Sequence, residues 1–128
     1  MNFITAGRSL YLANDPAGPH LWFVLTDPDP KTAHVVLVRV VTARTHTDKT
    51  VVLPVGCHPF IKHESNVEYG AARLDPVGRL EAAIHAGHCR LDQDMSEALL
   101  TLVRGGLLAS PRTIHAICDH CRPTFGPP

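Results

Sequence analysis

Two long runs of apolar residues in the first half of the chain restrict its fold more than any other feature. They are HLWFVLT (20–26) and HVVLVRVVTA (34–43), both rich in β-branched residues. Such runs are typical of strands that are covered on both faces or belong to a tightly curled sheet. Three shorter apolar segments, each next to turn-forming residues, lie at 9–13, 51–55 and 66–69. The pattern predicts a small barrel or strongly bent antiparallel sheet over about residues 8–70.

In the second half, apolar residues recur three or four positions apart, which is the spacing of one face of a helix. The segment DMSEALLTLVRGG (94–106) is the clearest case, because Asp94 with Glu97 resembles a capping box. The two glycines at its end, Gly105 and Gly106, are expected to stop this helix. We expect further helices before and after it, capped by Asp75 and by Ser110, each followed by a proline.

These patterns predict one α+β domain spanning residues 1–128. The antiparallel barrel is expected over about 8–70, the helical part over about 75–121, and a loose tail over 122–128. Lysine plus arginine and aspartate plus glutamate number 12 each. This balance argues against a strongly basic coat for nucleic acid, although it is compatible with a local basic patch.

The sequence also suggests where the protein works. It contains no run of about 18 apolar residues, so we expect no membrane span. The N-terminal segment MNFITAGRSLYLANDPAG lacks the pattern of a secretory signal, so the cytoplasm is the expected location. The four cysteines are therefore expected to be reduced.

The pair Cys118 and Cys121 has the spacing of two metal ligands on one side of a helix. His115 or His120 could contribute to the same Zn²⁺ site. A structural zinc site needs four ligands, and no second pair completes this one. We therefore expect no bound metal and no cofactor, and we interpret these cysteines as helix residues, one buried and one at the rim of the core.

A cysteine nucleophile is a second hypothesis. Cys57 would need a distant base such as His20 or His85, because its neighbour His58 points to the opposite side of an extended chain. The alternative, that Cys57 is a small hydrophobic residue, is favoured.

The segment GCHPFIKHESNVEYG (56–70) contains the highest density of reactive side chains. His58 precedes a proline, which restricts its backbone, and a rigid histidine suits acid–base catalysis. Ser65 and Tyr69 alternate with Val67, so we expect all three on the same side of a strand. The segment is predicted to be a functional loop, while the simpler interpretation is a loop anchored in the core by its Pro-Phe-Ile sequence.

The order of these segments resembles that of the MazF/PemK-like toxin superfamily. The resemblance is carried by LYLA, DPAGPH, LWFVLTDP, VVTAR and TDKTVVLPVG with HPFI, S, V and Y after it, over about residues 8–110. It implies an SH3-like barrel with added helices. It also implies a sequence-selective endoribonuclease that needs no metal, forms a homodimer and is paired with a small antitoxin protein. The family's two key positions fall on His20, where the family usually has arginine, and on Thr42.

From the resemblance and the loop together, we expect His20, Thr42, His58 and Ser65 to converge at one site. The two histidines would act as acid and base on single-stranded RNA, whose own 2′-hydroxyl is the nucleophile. The two hydroxyl groups would donate hydrogen bonds to phosphate oxygens.

The remaining expectations concern substrate binding. Arg44 or Arg73 would supply fixed positive charge. Tyr69 would offer a stacking surface, whereas Trp22 is more consistent with the core. The alternative function is a non-catalytic SH3-like barrel that binds a protein partner through its groove or sheet edge.

Overall fold

The computed structural model describes residues 4–125, which form six strands and three helices. The strands are β1 (Ser9–Leu12), β2 (His20–Val24), β3 (His34–Thr42), β4 (Val52–Leu53), β5 (Ser65–Pro76) and β6 (Cys89–Asp92). The helices are α1 (Val77–His85), α2 (Glu97–Ala109) and α3 (His115–Phe125). The strands form one antiparallel sheet in the order β4-β5-β3-β2-β1-β6, strongly curled into a half-barrel.

The two longest strands, β3 and β5, are paired with an irregularity in their register. They pair from His34 opposite Pro76 to Thr42 opposite Ser65, and the register shifts between Leu37 and Arg39. Such an irregularity bends a strand and increases its twist. Along its other edge, the start of β5 pairs with β4, with Val52 opposite Asn66 and Leu53 opposite Ser65.

Two hydrophobic cores cover the two faces of the sheet. The first, which we call the α2–α3 core, contains Phe23 and Val38 with residues of α2 and α3. The second, the α1 core, contains Trp22, Val24 and Leu37 with residues of α1. Successive residues of a strand point to opposite faces, so a strand between two cores must be apolar at nearly every position. This explains the continuous runs in the sequence and confirms Trp22, 1% exposed, as a core residue.

The sheet extends beyond the predicted barrel. Strand β5 continues to Pro76, and β6 lies within the segment that was predicted to be helical. Strand β6 pairs with β1, with Cys89 opposite Leu12 and Asp92 opposite Ser9. Four residues are too few to show a period, so only the pairing with β1 reveals this strand.

Both predicted boundaries of α2 are wrong. Helix α2 is capped by Ser96, whose hydroxyl accepts from Leu99 N at 3.1 Å, and not by Asp94. The helix also continues through Gly105 and Gly106 to Ala109. The helix continues past the glycines because packing on the sheet stabilises it there: Gly106 is buried against Tyr69 of β5.

The third helix also differs from the prediction. Ser110 follows the end of α2, and α3 begins only at His115. It continues to Phe125, so residues 122–125 of the predicted loose tail are helical, while residues 126–128 lie outside the described residues. Between residues 4 and 125, no helix combines the length and the apolar character required to cross a membrane.

A buried carboxylate joins the loop after β3 to the corner between α2 and α3. Asp48 Oδ2 accepts from Ser110 Oγ at 2.5 Å, and Oδ1 accepts from Thr50 N at 2.9 Å and Thr50 Oγ1 at 2.6 Å. Desolvation alone would raise the pKa of Asp48, but these hydrogen bonds and the nearby Arg112 outweigh it and hold the pKa below the ordinary value of an aspartate.

Asp48→Asn is therefore expected to lower stability at neutral pH and to weaken its dependence on acid. The unfolded chain binds the proton more tightly than the folded protein, so this contribution is complete above about pH 5 and is lost as the pH falls through the folded pKa. The variant should lose about 1–3 kcal/mol at pH 7, because buried donors lose their acceptor. Thermal unfolding between about pH 3 and 7 tests this, with the exposed Asp119→Asn as control. An unchanged pH dependence in Asp48→Asn would contradict it.

Candidate functional site

A cleft of about 370 Å³ opens where β2 begins and β3 ends, and we call it the strand-end cleft. It is lined by Pro19, His20, Leu21, Val40, Val41, Thr42, Phe60, Ile61, Lys62, His63 and Ser65. Three of the four residues that were expected to form the catalytic site therefore line the same cleft: His20, Thr42 and Ser65.

Thr42 and Ser65 are brought together by the pairing of β3 with β5. They lie opposite each other in the register, each two residues from a member of the α2–α3 core, Val40 and Val67. Alternation along the strands therefore places both hydroxyl residues on the face of the α2–α3 core. Thr42 is exposed, whereas Ser65 is buried and its Oγ donates to His63 O at 2.8 Å. The expected role of Ser65 as a hydrogen-bond donor to phosphate is thus not supported, because its proton is already used.

His20 is the first residue of β2 and follows directly after the turn between β1 and β2. Its Nδ1 lies 2.8 Å from Gly18 O, and a carbonyl oxygen can only accept, so Nδ1 carries a hydrogen. This leaves Nε2 of the neutral ring with a lone pair. Gly18 has φ +101°, a conformation that glycine adopts without strain, and it makes the turn that places this carbonyl beside the ring.

His63 and Lys62 complete the cleft, and neither was selected from the sequence. Both are exposed, directly after Ile61, which is 3% exposed and belongs to the α2–α3 core. The Pro-Phe-Ile sequence was expected to anchor the loop. Residues that follow such an anchor must leave the core, and this is the signal that identifies His63 as the accessible histidine of the segment.

His58 does not line the cleft, and its predicted role as an acid–base catalyst is not supported. It is 2% exposed. Its Nε2 donates to Gln93 O at 2.6 Å and lies 3.2 Å from Ser9 Oγ, while Nδ1 accepts from Phe60 N at 3.1 Å. Both ring nitrogens are therefore occupied inside the protein. The proline that restricts His58 is itself exposed, but the His58 ring next to it points into the protein and not into an accessible site.

The predicted substrate-binding residues lie in different places. Tyr69 is fully buried, and its hydroxyl donates to Val103 O at 2.7 Å, so it offers no stacking surface. Burial, with a smaller contribution from Asp48, raises its pKa far above the usual range. Arg73 belongs to the opposite face, where its guanidinium lies 4.3 Å from the ring centroid of Trp22. The exposed Arg44 follows Thr42 by two residues but is not part of the cleft lining.

An aromatic pair next to the cleft can take the role expected of Tyr69. Phe60 lines the cleft and lies 5.5 Å from Tyr11, measured between ring centroids. Arg90 covers the Tyr11 ring at 4.2 Å. Partly exposed rings and guanidinium planes are the surfaces on which unpaired bases stack.

The electrostatic character of the cleft differs from that of the whole chain. Its lining includes one lysine and two histidines, Lys62, His20 and His63, and none of the eleven lining residues is acidic. Although the formal net charge of the chain is zero, this region therefore favours an anion such as a phosphate group.

Three of the four cysteines, Cys57, Cys89 and Cys121, are poor candidates for nucleophiles. Burial raises the pKa of Cys57 above its usual value, of Cys89 to about 11 and of Cys121 to about 12. The thiol form therefore dominates at neutral pH, whereas nucleophilic attack requires the thiolate. The described part of the chain contains no group of three or more histidine, cysteine, aspartate or glutamate side chains arranged to hold a metal ion.

Comparisons of the chain with protein-family models, with curated proteins and with solved structures found no match.

Proposed function

We propose that this chain is a toxin-like endoribonuclease that cuts single-stranded RNA without a metal ion. The observation that supports this function best is the composition of the strand-end cleft. Two histidines, a lysine and the exposed Thr42 line one cleft that has no acidic residue in its lining. Cleavage by the 2′-hydroxyl of RNA requires a base, an acid and positive charge for the phosphate, and these side chains can supply all three.

In the proposed reaction, His20 is the base and His63 is the acid. His20 Nε2 takes the proton of the 2′-hydroxyl, whose oxygen attacks the adjacent phosphorus. Protonated His63 gives its proton to the leaving 5′-oxygen as the P–O bond breaks. The products are a 2′,3′-cyclic phosphate and a 5′-hydroxyl end, and a water molecule restores the two protonation states.

The neighbouring side chains would hold the substrate. Lys62 and the Thr42 hydroxyl would contact the non-bridging phosphate oxygens, where negative charge develops. Bases would stack on the pair formed by Phe60 and Tyr11. Ser65 would act indirectly, because its hydrogen bond to His63 O fixes the backbone that carries the acid.

The wider role follows from the resemblance in strand order. The proposal includes an SH3-like identity for the half-barrel, assembly as a homodimer, a small antitoxin protein as partner and a cytoplasmic location. Support comes from the strand order and from the position of His20 and Thr42 at the ends of β2 and β3, where the resemblance expects the key residues.

A cleavage assay on a short unstructured RNA tests this proposal. We expect cleavage in the presence of a chelator, products with 2′,3′-cyclic phosphate ends and a bell-shaped pH–rate profile, because one imidazole must be neutral and the other protonated. An all-2′-deoxy oligonucleotide of the same sequence is the control and should stay intact. RNA that remains uncut from about pH 5 to 9 would refute the enzymatic function.

A second candidate function is the binding of a protein partner. Val52 in the edge strand β4 is 46% exposed, and Val55 just after it is 62% exposed. Exposed β-branched residues at a sheet edge favour a partner that adds a strand or covers the edge. This function would leave RNA intact in the same assay.

A further inference from the structure

A second cavity, of about 290 Å³, is lined by the turn between β1 and β2 together with residues of β5 and α1, and we call it the turn cavity. The polar residues in its lining are Asn14, Asp15, Arg73, Asp75, Arg79 and His88. Its volume is near the lower limit of small-molecule sites. The last residue of the same turn, Pro19, and the first residue of β2, His20, line the strand-end cleft.

The side chain of Asp15 points to a ligand in this cavity. It is 4% exposed, and its Oδ1 accepts from Ala17 N at 2.9 Å, which fixes the carboxylate. Its Oδ2 is buried and accepts no hydrogen bond within residues 4–125. The nearest cationic group is Arg73 Nη1, at 3.8 Å, which is beyond hydrogen-bonding distance. A buried carboxylate oxygen without a donor is costly, and a ligand N–H group would satisfy it.

The charged side chains of the cavity argue against a simple ion as its ligand. Asp15 and Asp75 are balanced by Arg73 and Arg79, which lie 3.1 Å and 3.8 Å from the Asp75 carboxylate. A net charge near zero attracts neither cations nor anions strongly. The cavity instead offers a free acceptor next to guanidinium donors, which suits an uncharged planar group that has both N–H donors and a carbonyl oxygen.

A surface for stacking is also present. The Arg73 guanidinium lies over the indole of Trp22 at 4.3 Å, and its side chain is 39% exposed. Planar guanidinium groups stack on nucleobases, particularly when they are held in place by an aromatic ring. The cavity therefore combines a fixed cationic plane with the unsatisfied Asp15 oxygen.

We propose that the turn cavity binds a guanine base. Guanine presents two adjacent N–H donors, at N1 and N2, beside the carbonyl O6. The donors would face Asp15 Oδ2, and O6 would face Arg79. Adenine has no carbonyl oxygen, and uracil and cytosine present smaller rings for stacking on Arg73. As a subsite for RNA this inference rests on the proposed function, since the β1–β2 turn would then lie between the bound base and the scissile phosphate. The same chemistry fits a free guanine nucleotide.

Trp22 is the only tryptophan of the chain, so its fluorescence reports on Arg73 without any cleavage. We expect titration with 5′-GMP to change this fluorescence until the signal saturates. AMP, CMP and UMP should bind at least about fivefold more weakly, because they lack the pair of hydrogen bonds that the guanine edge makes. A short RNA with one central guanosine, made with a 2′-O-methyl group at that residue so that it stays uncut, distinguishes the two sources. Tighter binding of this RNA than of GMP indicates an RNA subsite, and equal binding indicates a nucleotide site.

Asp15→Asn is the decisive variant, because it keeps Oδ1 for Ala17 N and replaces the free acceptor with an NH₂ donor. We expect it to weaken GMP binding by about 5- to 150-fold. Asp29→Asn is the matched control: Asp29 Oδ1 also caps a turn, accepting from Lys31 N at 2.8 Å, but it lies outside the cavity. Arg79, whose side chain is 79% exposed, allows a second variant, Arg79→Gln, which should also weaken binding without disturbing the fold.

The proposal is overturned if GMP gives no saturable signal up to millimolar concentration, if the four nucleotides bind equally, or if Asp15→Asn and Arg79→Gln both bind like the wild-type protein. The cleavage assay decides the proposed function separately. GMP binding without cleavage would refute the endoribonuclease and support the guanine site. Cleavage without GMP binding would refute the guanine site and support the endoribonuclease.

Discussion

Gly106→Ala is expected to destabilise the protein by about 3 kcal/mol or more, at the upper end of what overpacking a core costs. A Cβ atom at this position would lie 2.2 Å from Tyr69 Oη and 2.4 Å from Val51 Cγ2. Neither atom can withdraw, since Val51 is 4% exposed and the Tyr69 hydroxyl is held by Val103 O. The added methyl group would therefore push α2 away from the sheet, as chemical denaturation should show.

The neighbouring glycine is the control for this prediction. At Gly105, within the described residues, a Cβ atom would meet nothing closer than 4 Å. Gly105→Ala should therefore gain up to about 1 kcal/mol from helix propensity alone. A double-mutant cycle with Tyr69→Phe adds a second check, because Gly106→Ala should cost less once the hydroxyl oxygen is absent. If both alanine variants unfold at the same denaturant concentration, the close packing of α2 on Tyr69 is not what stabilises this region.

His63→Ala is expected to lower RNA cleavage by about 10²- to 10⁴-fold while leaving the thermal midpoint unchanged. The side chain is exposed in the strand-end cleft, so its removal leaves no buried group without a partner. The bell-shaped pH–rate profile should also lose one of its limbs, since only His20 would remain to titrate. An unrelated exposed histidine, His115, provides the control variant His115→Ala.

His58→Ala should instead lower the stability of the protein and leave RNA cleavage by the folded protein unchanged. It would remove a buried ring and leave Gln93 O, Phe60 N and Ser9 Oγ without their hydrogen-bond partner, at a cost of about 2–4 kcal/mol. Thermal unfolding, together with cleavage assays at temperatures below the unfolding midpoint of His58→Ala, distinguishes the roles of the two histidines. Full cleavage by His63→Ala, with stability intact, would remove His63 from the mechanism.

The stretch that carries both histidines shows how far the sequence could locate the candidate site. Composition alone indicated that residues 56–70 hold reactive side chains, and the cleft does include part of that segment. Which histidine is accessible depends on residues that are distant in the chain, since Ser9 and Gln93 enclose the His58 ring. The restricted backbone before a proline suggested rigidity correctly, but rigidity does not distinguish a catalytic ring from a buried one.

Glycine shows a similar limit at the level of secondary structure. Two adjacent glycines normally predict the end of a helix, yet α2 continues through Gly105 and Gly106 to Ala109. The contacts that Gly106 allows with Tyr69 and Val51 stabilise a close approach of helix to sheet, and this outweighs the unfavourable propensity. Both contact residues are far away in sequence, so no local pattern could reveal them.

The sequence by itself determined the elements whose periodicity is local. The apolar runs at 20–26 and 34–43 became β2 and β3 to within two residues, and the helical spacing of the second half became α1, α2 and α3. It determined these because a strand between two cores needs apolar residues at every position, and a surface helix needs them on one face.

Only the tertiary structure decided what depends on pairing and burial. Strand β6 exists because β1 offers a free edge, and the strand-end cleft exists because the β3–β5 register brings Thr42 opposite Ser65. The free oxygen of Asp15 is another such result, since its neighbour Arg73 comes from β5, about sixty residues later. Contacts between distant segments produce no periodic pattern in the sequence, because they form only when the chain has folded.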